Sequence, residues 1–166
     1  MENISNKKQA YLSFELNDEI FAITVHNVLE VLENQKLTKV PKAPQYIKGV
    51  INFRGEILPV VDTRIKFNMP EKENESKSVI IVFDIDLEDK KLLIGGIVDG
   101  VKDVIEIENS EIKDIPNMGS RYNSDFLHGM IKKDDIFIML LNIEKVFSTE
   151  ELIDISEQSG VNIELD

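Results

Sequence analysis

The sequence predicts a mainly β fold of two small barrels related by internal duplication. Two observations predict it: short runs rich in β-branched and aromatic residues alternate with tight-turn residues, and this plan occurs twice. With 166 residues and 42% hydrophobic residues, the chain can bury a core without disulfides, and it has no cysteine. We expect one domain, 1–166, with repeats at about residues 10–68 and 78–148 and a tail at 149–166.

Blocks of sequence align between the two copies in the same order, with length changes only in the connections. Chance could produce one such match, but three in order favour duplication of one unit. Each copy is expected to form about five strands and its own barrel, because closure removes the exposed edges of a small sheet. The aligned blocks are Phe14–Leu16 with Phe83–Ile85, Asn27–Glu33 with Gly100–Glu106, and Ile47–Ile51 with Leu127–Ile131, and the match resumes from Asp62 to Phe67 and from Asn142 to Phe147.

Turn residues divide the predicted strands into hairpins. Asn17-Asp18 and Arg54-Gly55 separate strands in the first copy, and Asp134-Asp135 takes the place of Arg54-Gly55 in the second. Pro59 lies within a strand, which predicts an edge or bulge position because proline has no backbone N–H. The predicted strands span residues 11–16, 20–25, 49–53, 56–61, 79–85, 92–98, 130–132 and 136–141.

Short helices are predicted after the last strand of each copy and at the C-terminus. Asp62 and Asn142 hold equivalent places, and both side chains can accept hydrogen bonds from the first turn of a helix. A catalytic carboxylate would not be expected to alternate with an amide, so we interpret both residues as N-caps. Residues 66–77 form a polar connection between the copies, and the tail places Leu152, Ile153 and Ile155 in a helix packed on the body.

Composition argues against several classes of function. The net charge of −12 repels phosphate backbones and anionic lipids, so neither nucleic-acid nor membrane-surface binding is expected. Residues 1–9 are polar and no apolar run approaches the length of a membrane span, which predicts a cytoplasmic protein without membrane insertion. His26 and His128 lack partners at metal-ligand spacing, and no phosphate-binding glycine loop occurs. We therefore expect no catalytic residue, metal or cofactor.

The most distinctive segment, Tyr46–Arg64, reads YIKGVINFRGEILPVVDTR and closely resembles the hallmark of the CheW-like family of chemotaxis coupling proteins. The resemblance continues in 96–101, 126–130 and 140–145 and covers about residues 10–148. It implies a pair of five-stranded SH3-like barrels and a non-enzymatic scaffold of bacterial chemotaxis signal transduction. Such proteins couple the cytoplasmic tip of methyl-accepting chemoreceptors to the regulatory domain of a CheA-type histidine kinase, in membrane-associated arrays.

The same resemblance implies two sets of binding residues. We expect Glu30 and Arg54 to approach each other and orient a receptor groove, in which an amphipathic receptor helix lays its apolar face. The expected receptor-binding residues are Glu30, Arg54 and Gly95 from the resemblance, with Val31, Val101 and Val104 from the repeated V-x-x-V pairs. The expected kinase-binding residues are Val28 and Gly49, with Lys113 and Met118 on a second kinase-facing surface.

Other interpretations of these residues stay open at the level of sequence. Arg54 suits an ordinary surface position, and the V-x-x-V pairs at 28/31 and 101/104 suit core packing at helical or turn spacing. Gly129 repeats Gly49, so the fold itself could require that glycine. Alternative functions are the coupling part of a CheV-like protein, a kinase regulatory domain, a coupler outside motility, and an adaptor with a basic partner. A distant alternative is an enzyme with paired carboxylates at Asp62 and Asp99.

Overall fold

The structure, a computed structural model, describes residues 7–33, 35–67, 69, 78–87, 90–115, 126–147, 151 and 154–155. Within these residues the chain forms ten strands, two one-turn α-helices and two short 3-10 helices at Val25–Asn27 and Asn109–Glu111. The strands are β1 Lys8–Leu16, β2 Glu19–Thr24, β3 Val28–Glu33, β4 Ile47–Phe53, β5 Glu56–Asp62, β6 Val79–Leu87, β7 Lys90–Val98, β8 Gly100–Glu108, β9 Leu127–Lys133 and β10 Ile136–Leu141; the helices are α1 Thr63–Lys66 and α2 Ile143–Val146.

The strands form two five-stranded sheets, as the duplication predicts, but each sheet mixes strands of both copies. The first sheet has the order β8-β1-β2-β10-β9 and the second has the order β3-β6-β7-β5-β4. Each copy therefore gives its first two strands to one sheet and its last three strands to the other. The prediction that each copy forms its own barrel is wrong, because hydrophobic pattern identifies strands without identifying their partners.

In the first copy, the chain crosses from the first sheet to the second at the 3-10 helix Val25–Asn27, which joins β2 to β3. The pairs β2–β10 and β5–β7 are parallel and join strands from different copies, whereas the remaining ladders are antiparallel. Half a molecule consisting of one copy would lack two or three strands of each sheet.

The V-x-x-V pairs, whose spacing also suits a helix or a turn, lie on two strands, β3 and β8. Both are edge strands, and each has a register irregularity against its neighbour. Along β3, partly buried and exposed residues alternate strictly, as expected for an extended strand with one face toward the protein. The helical interpretation of these segments is therefore wrong.

The predicted hairpin turns are confirmed by the backbone. Asn17-Asp18, Arg54-Gly55 and Asp134-Asp135 all have positive φ at both residues, between 50° and 82°. Two consecutive positive φ angles are typical of the type I′ turn, whose twist matches that of the flanking strands. Arg54 therefore stands in a left-handed conformation at a hairpin tip.

Pro59 does not lie at an edge or bulge, contrary to the expectation. Its strand, β5, lies between β4 and β7 in the second sheet. Val50, which is opposite Pro59, directs both of its backbone hydrogen bonds to Thr38 instead, at 2.8 and 2.9 Å. The pairing of β5 with β7 begins only at Val60. An interior strand accommodates proline here because neither neighbouring ladder uses the missing N–H.

Three clusters of buried residues make the core. One lies within each sheet, and each joins strands from opposite edges: Ile107 of β8 with Ile131 of β9, and partly buried Leu32 of β3 with Phe53 of β4. Both sheets therefore curl around their own contents. The third and largest cluster, here named the central cluster, lies between the sheets. It combines residues of the first sheet, such as Phe14, with residues of the second sheet and of the segments around α1 and α2.

The N-cap predictions are confirmed in both copies. The Asp62 carboxylate accepts a hydrogen bond from the Arg64 N–H at 2.9 Å, and the Asn142 side-chain oxygen accepts one from the Glu144 N–H at 3.2 Å. The Asp62 carboxylate also lies 3.7 Å from the Lys48 ammonium. An aspartate and an asparagine thus do the same structural work at equivalent helix starts.

A buried ion pair fastens the two sheets to each other. Arg64, in α1 at the end of the second sheet, is only 2% exposed, and its guanidinium binds the Asp99 carboxylate. Its Nε donates to the Asn17 side-chain oxygen at 3.2 Å, and the Asn17 N–H donates to Asp99 at 2.7 Å. Asn17 belongs to the β1–β2 turn of the first sheet, so this cluster contacts both sheets at once.

The C-terminal segment packs on the body where the structure describes it. Glu151, Asp154 and Ile155 are helical, and Ile155 is fully buried in the central cluster, as predicted; Leu152 and Ile153 lie outside the described residues. The Lys66 ammonium binds the Glu151 carboxylate at 2.5 and 2.7 Å. Burial, together with the nearby carboxylates of Glu151 and Asp154, raises the pKa of Tyr46 to about 12. Among the described residues, no helix is long and apolar enough to cross a membrane.

Replacement of Arg64 by methionine is expected to lower the free energy of unfolding by about 3–5 kcal/mol, because it leaves the Asp99 charge buried without its partner. The double variant Arg64→Met/Asp99→Leu should lose less, since no unpaired charge remains. Urea unfolding followed by circular dichroism measures both, with exposed Lys145→Met as a control near zero. A loss below about 1 kcal/mol for Arg64→Met would show that the pair does not stabilise the fold.

The raised pKa of Tyr46 predicts a loss of stability at high pH. Above pH 10 the phenol ionises in the unfolded chain but not yet in the native protein, so the free energy of unfolding falls as the pH rises toward 12. Tyrosinate absorbance, with Tyr46→Phe subtracted, should place the native transition near 12, and Glu151→Gln should lower it. A Tyr46 transition at the ordinary value would contradict the packing of the C-terminal segment.

Candidate functional site

The strongest confirmed prediction is the approach of Glu30 and Arg54. The Arg54 guanidinium donates to the Glu30 carboxylate at 2.5 Å, with the two side chains 60% and 39% exposed. Glu30 lies on β3 and Arg54 on the β4–β5 hairpin, so the pair joins opposite edges of the curled second sheet. The Arg54 guanidinium carbon also lies 4.9 Å from the centre of the Phe53 ring. An exposed pair of this kind contributes only about 0–1 kcal/mol, so its position matters more than its strength.

The repeated valines divide into a buried and an exposed pair. Val28 and Val101 are partly buried and pack against the central cluster. Val31 and Val104 are 37% and 62% exposed, on the outer edge strands β3 and β8. Core packing therefore accounts for Val28 and Val101, whereas the groove interpretation stays a prediction for Val31 and Val104. An exposed valine on an edge strand is available to a partner, because its apolar surface has no cover within the described chain.

Other exposed apolar side chains were not singled out from the sequence. Val25 and Leu29 continue the exposed strip along the sheet crossing and β3. The sequence carried no signal for Leu29, because Val28–Glu33 repeats V-L-E with a period of three, and only the burial of the folded strand alternates and places Leu29 and Val31 on one face. Ile136 and Phe137 are more than half exposed at the β9–β10 hairpin, and Lys132 lies 5.9 Å from the Phe137 ring centre.

Two of the predicted glycines serve the packing of the second sheet. A Cβ on Gly95 would lie 2.9 Å from a methyl of Ile80, and Gly95 itself is buried, so it offers a partner little surface. A Cβ on Gly49 would lie 2.6 Å from the Thr38 carbonyl oxygen. Gly129 is similarly crowded, with Ile112 at 2.6 Å. The fold thus requires Gly49 for space, since its φ lies outside the left-handed region.

The remaining predicted kinase-binding residues lie in the connection between β8 and β9. Lys113 is exposed, and its backbone exchanges two 2.9 Å hydrogen bonds with Met130 of β9. This bridge corresponds to the one between Thr38 and Val50 in the first copy. Met118 lies outside the described residues.

The two carboxylates of the enzyme alternative are both engaged in structure. Asp62 caps α1 and lies beside Lys48, while Asp99 binds Arg64. Among the described residues, no group of three or more side chains could hold a metal ion. A central cavity lined by apolar groups, Phe14, Phe67 and Phe147 among them, has about 10 Å³ of free volume, room for about one water molecule. Neither the carboxylates nor this cavity favours catalysis.

The comparison with known proteins agrees with this arrangement. The sequence profile of the CheW-like domain matches residues 10–151. The chain belongs to the CheW-like family. It is 33% identical over 150 residues to the chemotaxis protein CheW of Bacillus subtilis, covering 89% of each chain. It is 32% identical over 140 residues to CheW of Thermotoga maritima, covering 84% of this chain and 88% of that relative.

The solved structures extend the agreement to the fold. The chain is similar to the scaffolding protein TtCheW of Thermoanaerobacter tengcongensis, with a TM-score of 0.74 and 30% identity over 86% of this chain and 94% of that one. The CheW-like fold predicted from Tyr46–Arg64 and the continuing segments is thereby confirmed. This similarity concerns the fold and does not by itself assign individual binding residues.

Gly49→Ala is expected to destabilise this CheW-like domain by about 1–3 kcal/mol, because the new methyl group meets rigid backbone at Thr38. Gly100→Ala is a matched control, since no atom lies within 4 Å of its added Cβ. Thermal unfolding measures both variants. Unchanged stability of Gly49→Ala would mean that the loop over Gly49 moves freely, and a binding defect at Gly49 could then be attributed to direct contact.

Proposed function

We propose that this protein is a non-enzymatic scaffold that couples chemoreceptors to a CheA-type histidine kinase in bacterial chemotaxis. Its relatives are named as chemotaxis proteins and a scaffolding protein. The single observation that carries the proposal is the exposed Glu30–Arg54 pair beside the apolar edge strand β3. The structural use of Asp62 and Asp99 supports a role in binding rather than in catalysis.

The proposed receptor surface combines apolar contact with one oriented ion pair. Val31 and Val104 supply apolar surface on edge strands, and Val101 supports it from a partly buried position. An amphipathic receptor helix buries its apolar face against such a strip. Glu30 of the Glu30–Arg54 pair lies on the same strand as Val31, β3, but on the opposite face, and an ordered ion pair of this kind sets direction and register more than affinity.

The proposed kinase surface lies around Gly49 and Lys113. Because Gly49 has no side chain, the backbone of Thr38 can approach β4 closely, and Gly49 is proposed to affect kinase binding through this approach. Val28 packs inward from β3, and Lys113 holds the equivalent bridge of the second copy. Met118 completes this set as an expectation from the family resemblance. Each connection is joined to its neighbouring strand by a pair of backbone hydrogen bonds, which suits a partner that meets the protein at two places.

The deciding experiment is a reconstituted assay with a CheA-type kinase, a receptor fragment and this protein. Arg54→Asp is expected to abolish receptor-dependent control of the kinase while leaving kinase pull-down within about twofold. It should unfold within about 1 kcal/mol of the wild type, because the pair is exposed. A matched control, Lys132→Asp, changes an equally exposed cation at the β9–β10 hairpin and should leave control intact.

The charge-swapped double variant Glu30→Arg/Arg54→Glu separates two roles of the pair. It restores the attraction between β3 and the β4–β5 hairpin but reverses the charges that a receptor meets. Continued failure of the swapped variant would support a receptor-facing role, whereas full recovery would reduce the pair to a structural clasp. A folded wild type that binds neither receptor nor kinase would refute the coupling proposal.

A further inference from the structure

One segment of this acidic protein carries only positive charge. Residues 35–55 contain four lysines and one arginine and no acidic residue, within a chain of net charge −12. Lys48 is near Asp62 and Arg54 binds Glu30, but no ion pair is recorded within the described chain for the other three. These three, Lys36, Lys39 and Lys42, are exposed in the connection between β3 and β4, residues 35–46, here named the lysine loop.

The lysine loop is held in a defined position. Thr38 exchanges two backbone hydrogen bonds with Val50 of β4, and Gly49 leaves room for this close approach. Leu37 is partly buried against the core of the second sheet. Because the apolar side of the loop is anchored, the neighbouring lysines are presented at fixed places on the surface rather than on a free chain.

Lys42 stands in a conformation that lysine rarely adopts. Its φ is +64°, and it follows Pro41 in a turn closed by the Ala43 N–H and the Val40 carbonyl at 3.4 Å. Proline followed by a left-handed residue is typical of a type II turn, in which glycine or asparagine normally takes the second place. A lysine in this conformation costs conformational free energy, so its side chain is expected to have a role that offsets the cost.

The second copy carries no cation at the positions that align with these lysines. Its bridge at Lys113 and Met130 corresponds to the bridge at Thr38 and Val50, which sets the alignment of the two connections. Pro116 then matches Pro41 in sequence. Under this alignment, Lys36, Lys39 and Lys42 correspond to Glu111, Asp114 and Asn117.

We propose that Lys36, Lys39 and Lys42 form a docking surface for an acidic segment of a partner protein. A short segment meets mainly the local positive charge, because charges more than about 10 Å away are screened at ordinary ionic strength. An anionic membrane is disfavoured, since it would face the whole chain of −12 and Leu37 is turned inward rather than toward a bilayer. This surface lies next to the kinase contact proposed at Gly49, because Thr38 of the lysine loop covers Gly49, but the three lysines belong to neither of the coupling surfaces proposed above.

The test uses substitutions that the duplication itself supplies. The loop variant Lys36→Glu/Lys39→Asp/Lys42→Asn places the residues of the second copy in the first. The control variant Lys8→Gln/Lys102→Glu/Lys145→Glu changes the net charge equally at exposed lysines elsewhere. The probe is a fluorescent peptide of alternating Glu and Ser, with a Gln-Ser peptide for comparison, measured by anisotropy over a range of salt concentrations.

The wild type is expected to bind the acidic peptide more tightly than the neutral one, with an affinity that falls as salt rises. The loop variant should bind at least about tenfold more weakly, and the control variant within about threefold of the wild type. Equal weakening by both variants would overturn the proposal, as would unchanged binding by the loop variant. The assay contains neither receptor nor kinase, so its failure is distinct from failure of the coupling proposal.

Two further measurements separate other occupants of the surface. Binding to phosphatidylglycerol vesicles without binding to the peptide would replace a protein segment by a lipid surface and overturn the proposal. Salt-sensitive dimerisation of the wild type in sedimentation, absent from the loop variant, would identify a second copy of this acidic chain as the occupant and also overturn it. A wild type that stays monomeric and does not bind the vesicles would support docking of an acidic segment.

Discussion

Arg64 reaches from the end of the second sheet to the β1–β2 turn of the first, and its guanidinium is held by Asn17 of that turn and by Asp99 between β7 and β8. Apolar packing between the sheets is strong but has little directional preference, so it explains that the sheets associate more than how they are oriented. The buried Arg64 guanidinium supplies this orientation, because its planar N–H donors reach their acceptors in only one relative arrangement of the two sheets. The proposed binding surfaces lie on strands of different sheets, so their relative position depends on this cluster.

The exchange of strands between the copies makes the two sheets interdependent. Parallel pairs join β2 to β10 and β5 to β7, and each of these joins strands from different copies. The edge strands β3 and β8 carry the exposed valines, one in each sheet. A scaffold that must hold two partners at a fixed distance benefits from this construction, because neither surface can move with an independent half of the molecule.

Local chemistry in the sequence predicted the hairpins and the N-caps, since a type I′ turn or a cap needs only a few neighbouring residues. The partners of the strands depend on contacts between distant segments, so the exchange between the copies was not predictable from the repeat alone. Strands β3 and β8 were missed because V-x-x-V spacing also suits a helix. The approach of Glu30 and Arg54 was predicted through resemblance to a family, whereas the exposure of Val25 and Leu29 had no comparable signal in the sequence.

The duplication provides an internal comparison that separates the needs of the fold from the needs of binding. Gly49 and Gly129 are crowded alike, and Asp62 and Asn142 cap alike, so residues shared by both copies serve the fold. Arg54 differs from its counterpart Asp134, although both occupy the same left-handed place in equivalent turns. The three lysines of the lysine loop likewise align with Glu111, Asp114 and Asn117, none of which is a cation. Since the hairpin turn accepts either arginine or aspartate, the backbone does not dictate Arg54, whose partner within the fold is the exposed Glu30, and two partner surfaces on the first copy are the economical explanation of these cations.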